Sequence, residues 1–439
     1  ALQVVITERD ALEKLTQAPE VKHIILTGGT DTAQSILRAK PTTPLSAETG
    51  GKNAIICTAS ADMDHAIMSA CHSAFSNAGQ KCSACSLFLV ERSVYERPDF
   101  RVKLKDCATS MKVGGVWDAG NKVGPMITNK NEKLLKAISN LEAGESWLVA
   151  PRWVDKKHYI LAPTVKMGVR PENFSFRTEL FGPMLSVAPF DSLQEAIDLV
   201  NGLDYGLTSG IQTLDENERR LWRDSIMAGN LYINRGITGA IVNRQPFGGM
   251  KLSAFGPGIK AGGPNYCQQF TVITDKSNSK TDYRTSYPEA WKSEFSRPRD
   301  WNHLHGEQNV FRYLPLKGGM ALRLFTADTD EQALMVALAA QICGTPLTVS
   351  CDPSDERKDL AGKLAALGAK VKEETFQHFV ESIPDYERIR TCSANIPVEM
   401  YRRAADTNKF IATDAPVKNG RIELIHYLKE QSIAFEYHR

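Results

Sequence analysis

Apolar positions along the chain fall into short runs of four to six residues, separated by stretches of helical period and by glycine turns. Val4–Thr7 reads as a strand, Asp10–Gln17 as a short helix and His23–Leu26 as a second strand. Thr27-Gly28-Gly29-Thr30 then opens a helical stretch through Arg38. Strand, glycine turn and helix is the order in which α/β folds bring backbone N–H groups to a phosphate. This turn is not a GxGxxG fingerprint, and a plain strand-to-helix turn competes with the phosphate reading. A second glycine turn, Glu48-Thr49-Gly50-Gly51-Lys52, precedes an apolar strand at Asn53–Cys57. Ile67, Ala70, Ala74 and Phe75 then give Asp62–Asn77 the helical period, with Gly79 placed to close it. Cys82 follows just past that helix end, in a turn that leads to the strand Leu87–Glu91. The alternation continues to about Thr274, with irregular backbone at Phe247-Gly248-Gly249-Met250 and Gly256-Pro257-Gly258.

Residues 275–315 differ in character. Lys, Ser, Asp and Arg dominate Asp275–Arg284, and Tyr287, Trp291, Phe295 and Trp301 are scattered beyond it. The pattern predicts a surface excursion followed by an extended, packed segment. From Met320 the rhythm resumes: strand Ala321–Phe325, helix Asp330–Cys343, strand Leu347–Cys351, helix Glu356–Ala366 and strand Lys370–Glu373. Later strands are expected at Arg388–Thr391 and Lys409–Thr413, and Gly344 and Gly368 sit where helices end. This second unit has no catalytic constellation of its own.

Composition narrows the function classes. Lys and Arg number 53 and Asp and Glu 51, a net charge of +2 that gives no global attraction for nucleic acid or an anionic membrane. The apolar run at Leu334–Cys343 is too short to span a bilayer. Ala1–Asp10 lacks the basic start and apolar core of a signal peptide, and it lacks an initiator Met, so a longer polypeptide is expected. Nine cysteines, an odd number without a secretory signal, point to reduced thiols in a cytoplasm. Cys82 and Cys85 form a single Cys-x-x-Cys. Zinc would want a second pair or a His pair at ligand spacing, so no metal is expected.

Four segments carry the chemistry: Glu48–Asn53, Phe75–Ala84, Glu179-Leu180-Phe181-Gly182-Pro183 and Pro246–Lys251. In this order they resemble the signature segments of the NAD(P)-dependent aldehyde dehydrogenase superfamily. The chemistry of that family explains the residue types. A thiolate adds to an aldehyde to give a thiohemiacetal; hydride departs, and a carboxylate activates water to release the acid. The resemblance makes Cys82 the nucleophile and Glu48 the base, and leaves Cys85 without a role beyond packing. It places Glu179 on the ribose of the nicotinamide nucleotide, Phe181 against the nicotinamide side, and Gly50 in the cofactor-facing turn. Gly28, Gly29 and Thr30 match the phosphate-facing turn, which in the family usually carries Ser where this chain has Gly29.

Gly236–Val242 ahead of Gln245–Gly249 resembles the anchor loop of L-glutamate γ-semialdehyde (1-pyrroline-5-carboxylate) dehydrogenases. There backbone N–H groups hold the substrate α-carboxylate, which implies Gly239 and Ala240 here, helped by the Ser83 hydroxyl, with Phe247 flanking the aliphatic chain. An ordinary glycine loop is the competing reading. His305–Tyr313, Gly420–Leu424 and Glu436–Arg439 resemble the tail of bifunctional proline utilisation A proteins. In that family the tail is an additional Rossmann-like domain.

The resemblance implies an α/β fold in four parts. These are the end of an NAD-binding domain (1–47), an aldehyde dehydrogenase catalytic domain with closing strands (48–275), a linker (276–318) and a smaller Rossmann-like domain (319–439). Most of the family's cofactor domain, with its oxyanion-holding Asn and adenosine-ribose Lys, would precede residue 27. These residues alone are therefore expected to turn over little, with the remainder of the same polypeptide as partner. FAD belongs only to a proline dehydrogenase domain outside this chain. A homodimer or larger assembly is expected, with strands at Gln268–Thr274 pairing between subunits. The choice between NAD and NADP is left open, as are another aldehyde as substrate and an inactive channel-capping module.

Overall fold

A computed structural model describes residues 2–276, 279–355 and 357–437. Ala1, Ser277, Asn278, Glu356, His438 and Arg439, which fall in segments interpreted above, lie outside the described residues. The chain divides into two compact units. The first gathers residues 1–49, 254–299 and 312–430; the second gathers 50–253, 300–311 and 431–439. Among the described residues no helix is long and apolar enough to cross a membrane.

In the first unit, α1 (Arg9–Gln17) precedes β1 (Ile24–Thr27), α2 (Thr30–Ala39) and β2 (Leu45–Glu48). β1 and β2 pair in parallel with Thr27 opposite Glu48, and Ala254–Phe255 pairs antiparallel with β2. Ala33, Leu45, Ala47 and Phe255 form the small apolar core beneath. Val4–Thr7 forms no strand: Val4, Val5 and Ile6 are exposed, and a strand is stable only in a ladder. Gln268–Thr274 is likewise not a strand. Tyr266–Phe270 winds into a short 3-10 turn, where the Tyr266 and Phe270 rings meet edge to face at 5.5 Å. Its N–H groups are turned inward to i−3 carbonyls, such as Gln268 to Asn265, rather than outward to a neighbouring strand.

The same unit holds a five-stranded, fully parallel sheet in the order Lys370–Glu373, Leu347–Cys351, Met320–Arg323, Arg388–Arg390, Phe410–Ala412. Numbered along the chain this order is 3-2-1-4-5, a doubly wound arrangement, so the expected Rossmann-like βα architecture is present. The helix Asp330–Cys343 starts on a Thr329–Gln332 capping box and ends on Gly344 at φ 69°. Within the stretch read as linker, Tyr283–Ala290 is a helix capped by Asp282, with Tyr283 and Tyr287 buried and the Tyr287 hydroxyl donating to the Val417 carbonyl at 2.7 Å. Two aromatic anchors one turn apart build that helix despite its polar composition.

The second unit is built on a mixed sheet. Its order is Glu307–Pro315, Leu428–Glu436, Asn230–Ile233, Thr208–Gln212, β3 (Asn53–Cys57), β4 (Cys85–Glu91), Met184–Phe190, Thr164–Met167 and Ser146–Val149. Residues 307–311 and 431–436 of the first two strands belong to this unit. β3 is buried along its whole length, as a central parallel strand must be. Between β3 and β4 runs α3 (Met63–Phe75), whose Asp62 cap accepts from the His65 N–H at 3.0 Å. After β4 come the single turn α4 (Arg92–Tyr95) and α5 (Pro98–Ser110), which packs on α3.

Candidate active site

α3 stops two residues short of the expected Asn77. Asn77 (φ 56°), Ala78 (φ 54°) and Gly79 (φ 65°) turn left-handed in succession, which throws the chain off the helix axis and toward Cys82. Glycine is required at 79, since a Cβ there would lie 2.2 Å from the Gly182 carbonyl oxygen. Gln80 then ties this turn to a second segment: its side chain donates to the Phe181 carbonyl at 3.2 Å and accepts from the Ile127 N–H at 2.9 Å. The Cys82 and Phe181 segments, far apart in sequence, are thus brought together. Phe181 itself is held at φ 47°, a costly conformation for a phenylalanine, and the residue is 40% exposed.

Cys82 is half-buried and in no disulfide, whereas Cys85 is buried and its thiol is pushed up to about 12 by burial. Of the Cys-x-x-Cys pair, Cys82 is the more exposed residue. The carbonyl of Cys82 accepts from the Asn53 carboxamide at 2.7 Å, and the same amide nitrogen reaches the Ala84 carbonyl at 3.0 Å. Asn53 in turn accepts from the Thr208 N–H at 3.0 Å. A buried carboxamide on β3 therefore fixes the loop that carries the thiol. Burial also pushes the Tyr232 phenol up, and nearby Cys82 adds to that push.

The glycine turn meets Glu179. The Gly51 N–H donates to a Glu179 carboxylate oxygen at 2.9 Å. A Cβ on Gly50 would lie 2.0 Å from the other oxygen, and one on Gly51 would lie 2.8 Å from the Cys82 carbonyl oxygen. At Gly51 the neighbouring backbone occupies the space of a side chain, whereas one at Gly50 would push aside the carboxylate end of Glu179. Burial raises the Glu179 carboxyl, partly offset by the Gly51 bond, Lys133 and Lys52. Lys52 is fully buried, its ammonium pulled down to about 7 by desolvation against the opposing pull of Cys85 and Glu179.

The loop that begins at Gly236 is anchored from α3. The Ser73 hydroxyl accepts from the Ile237 N–H at 3.0 Å, and a Cβ on Gly236 would lie 2.9 Å from that oxygen. Beyond it, Gly239 adopts φ 81° and is exposed, and Ala240 is half-exposed. Gln245 accepts from the Ile241 N–H at 2.9 Å and donates to Asn309, closing the loop before Phe247, which is half-buried. Asn230 holds the next turn, donating to the Pro246 carbonyl at 3.0 Å and accepting from the Gly248 N–H at 3.2 Å. Ser83 is buried beside Cys82.

In the first unit, Gly28, Gly29, Thr30 and Glu48 stand together at the carboxyl ends of β1 and β2. The Gly28 N–H donates to the Glu48 carbonyl at 3.2 Å, and Gly29 is the N-cap of α2. That is where an open parallel sheet presents helix amides to a phosphate. A Cβ on Gly29 would meet no atom within 4 Å, so the hydroxyl that the family usually carries there would find room. Lys260, buried near Glu48, is pulled down to about 8 by desolvation, opposed by Glu48 and Glu430. Among the described residues no group of three or more His, Cys, Asp or Glu forms a metal site.

Sequence reasoning missed Asn53, Lys52, Ser73 and Lys260. Asn53 and Lys52 follow the glycine turn directly, where their polar side chains at the mouth of an apolar run were the available signal. Ser73 and Lys260 offered none, because each acts on residues far away in the chain.

The aldehyde dehydrogenase family profile matches residues 1–275. The chain is 36% identical over 234 residues to 1-pyrroline-5-carboxylate dehydrogenase of Oceanobacillus iheyensis, covering 52% of this chain and 45% of that protein. Its structure resembles proline utilization A from Corynebacterium freiburgense with a TM-score of 0.84 at 36% identity, covering 99% of this chain and 43% of the other. It also resembles a Thermus 1-pyrroline-5-carboxylate dehydrogenase with bound NAD (TM-score 0.55, 32% identity, 58% of this chain and 51% of that one). The chain spans about half the length of these relatives. With the profile matching well over half of its residues, the chain belongs to the aldehyde dehydrogenase family.

Proposed function

We propose that this chain carries the aldehyde-oxidising chemistry of proline catabolism, converting L-glutamate γ-semialdehyde to L-glutamate with NAD. The observation that carries the reading is the placement of Cys82: half-exposed, on a loop pinned by Asn53 and tied through Gln80 to the Phe181 carbonyl, while its neighbour Cys85 is buried. The names of the relatives support the substrate class.

In this mechanism the Cys82 thiolate attacks the aldehyde carbon and forms the thiohemiacetal. The Gly239 and Ala240 amides, with the Ser83 hydroxyl, hold the substrate α-carboxylate, and Phe247 lies along its aliphatic chain. Gly28, Gly29, Thr30 and Gly50 offer backbone to NAD, and Glu179 offers its carboxylate to the ribose hydroxyls. The residues present fit such a group, since the Glu179 carboxylate stands against the Gly50–Gly51 turn and Gly29 leaves the α2 N-terminus open. When bound, NAD supplies the hydride acceptor. Loss of hydride from the former aldehyde carbon, with the hydroxyl proton, would leave a thioester on Cys82; Glu48 then takes a proton from the water that attacks it, and Cys82 leaves as thiolate. In this reading the rest of the NAD site, and a flavin-dependent proline dehydrogenase, belong to other parts of a longer, cytoplasmic polypeptide that assembles as a homo-oligomer.

The test is steady-state NADH formation by the full-length protein. Cys82→Ser is expected to lower kcat by at least ~10³-fold while NAD binding persists. Retained turnover in that variant would remove Cys82 from the role. Equal kcat/KM for glutamate semialdehyde and for an aliphatic aldehyde of the same length would remove the carboxylate anchor.

A further inference from the structure

The loop 236–243 is held near its ends rather than along its middle. Gly239 and residues 241–243 are exposed, so packing does not fix that stretch. Both residues that bound the loop are arginines, and one carboxylate meets them both. Glu307 Oε1 lies 3.0 Å from Arg244 Nη1, and Glu307 Oε2 lies 3.7 Å from Arg235 Nη1. Arg235 also meets Glu436 at 3.1 Å. Two further ties come from the same stretch of chain as Glu307. The Asn302 carboxamide donates to the Asn243 carbonyl at 2.7 Å, and the buried Asn309 accepts from the buried Gln245 carboxamide. That stretch is itself braced: the Asp300 carboxylate accepts the N–H groups of Asn302 (3.0 Å), His303 (3.1 Å) and Asn309 (2.9 Å). Residues 300–311 and the loop lie in the same compact unit.

We propose that Glu307 is a positioning residue for this loop: it clamps Arg235 to Arg244 and so sets the place of the Gly239 and Ala240 amides. The proposal rests on the reading of the loop as the anchor of the substrate α-carboxylate. It gives a task to residues 305–313, a segment that carries no chemistry of its own.

The physical reason lies in what the loop lacks. An exposed loop with free ends samples many conformations, and ordering it again on binding costs affinity. Ends fixed in advance remove that cost. Glu307 fixes them by standing between two like charges, which repel each other once the carboxylate is neutral. The side chains of Glu307 and Arg235 are only 16% and 13% exposed, so salt screens their contact less than it would a surface pair. Because the loop acts on the carboxylate and not on the aldehyde carbon, loosening it weakens binding and leaves the chemical step alone.

The experiment compares the full-length wild type with Glu307→Gln, which keeps the shape of the side chain and removes its charge. Steady-state NADH formation is measured with glutamate semialdehyde and with pentanal, an aldehyde of the same carbon number without the carboxylate. The KM for glutamate semialdehyde is expected to rise about tenfold, with kcat, the KM for NAD and kcat/KM for pentanal within about twofold of wild type. Arg244→Met removes the other side of the clamp at a half-exposed position and should raise the same KM. Trypsin reads the loop without activity, because it cleaves after arginine and the loop lies between Arg235 and Arg244. Cleavage there should be faster in Glu307→Gln than in wild type. Two results would overturn the proposal. One is a Glu307→Gln variant with the wild-type KM and trypsin rate. The other is a loss spread over kcat, NAD and pentanal together with a lower melting temperature, which marks a support of the fold alone. A wild type with no preference for glutamate semialdehyde over pentanal would overturn the reading of the loop, and the proposal with it, before any variant is compared.

Discussion

The Asn53 carboxamide donates to the carbonyl of Cys82 at 2.7 Å, so the strand that follows the glycine turn holds the backbone of the loop bearing the thiol. The same side chain also serves the Ala84 carbonyl and the Thr208 N–H, three backbone partners for one buried residue. Asn53→Ala leaves all three without it. A cost of about 2–3 kcal/mol in stability is expected, since each buried orphan carries a desolvation penalty. Urea unfolding measures that cost. NADH formation should fall more than the folded fraction does, because the thiol loop loses its anchor; an unchanged kcat in folded protein would show that the loop is held elsewhere.

A side chain at Gly50 would displace a carboxylate, whereas one at Gly29 would meet open space. At Gly50 an added Cβ would lie 2.0 Å from a Glu179 oxygen, so the carboxylate at the end of that side chain must move. Gly50→Ala is expected to weaken NAD binding about tenfold or more, as the displaced carboxylate leaves the ribose. Gly29 caps α2 at φ −79° with open space around it. Gly29→Ser should preserve the fold and raise thermal stability slightly, because serine caps a helix better than glycine. Titration calorimetry with NAD and a thermal melt read the two outcomes.

Lys52 makes stability depend on pH in a definite direction. Its ammonium is pulled down to about 7 by burial, from an ordinary value near 10.5. Between those values the unfolded chain binds a proton that the folded chain does not, so this group's penalty shrinks as pH rises above 7. Below pH 7 both states are protonated, and the penalty is constant and largest. Lys52→Met removes it. The variant's stability relative to wild type should therefore be highest near pH 6 and decline toward pH 10. A difference independent of pH, in melts across that range, would show that Lys52 keeps its proton when folded.

The smaller βα unit turns on a buried ion pair. Arg390 and Glu423 meet at 3.0 Å with side chains essentially inaccessible, and Glu423 also accepts from the Tyr427 hydroxyl and the Val417 N–H. Removing one partner strands the other as a buried charge. Glu423→Ala is expected to cost about 3–5 kcal/mol, read as a lower urea midpoint of that unit.

Much of this protein is legible in the chain, and for identifiable reasons. The helix at Asp330–Cys343 and the strands Asn53–Cys57, Leu347–Cys351 and Lys370–Glu373 match the pattern because period, cap and glycine stop agree locally. The helix Tyr283–Ala290 escaped because its two buried tyrosines sit among polar residues, and burial against Val417 is a tertiary fact. Val4–Thr7 and Gln268–Thr274 looked like strands because apolar alternation marks a candidate, while a strand exists only with a hydrogen-bonded neighbour.

At the candidate site the division is the same. Four segments in order along the chain carry the resemblance that pointed to Cys82, Glu48, the glycine turns and Glu179 as candidates. They were silent on which of Cys82 and Cys85 is buried and on what crowds the Gly50–Gly51 turn. Those depend on burial and on approaches of a few ångströms between segments many residues apart. Local pattern encodes periodicity and backbone freedom; only packing decides which polar groups lose their water and what they then meet.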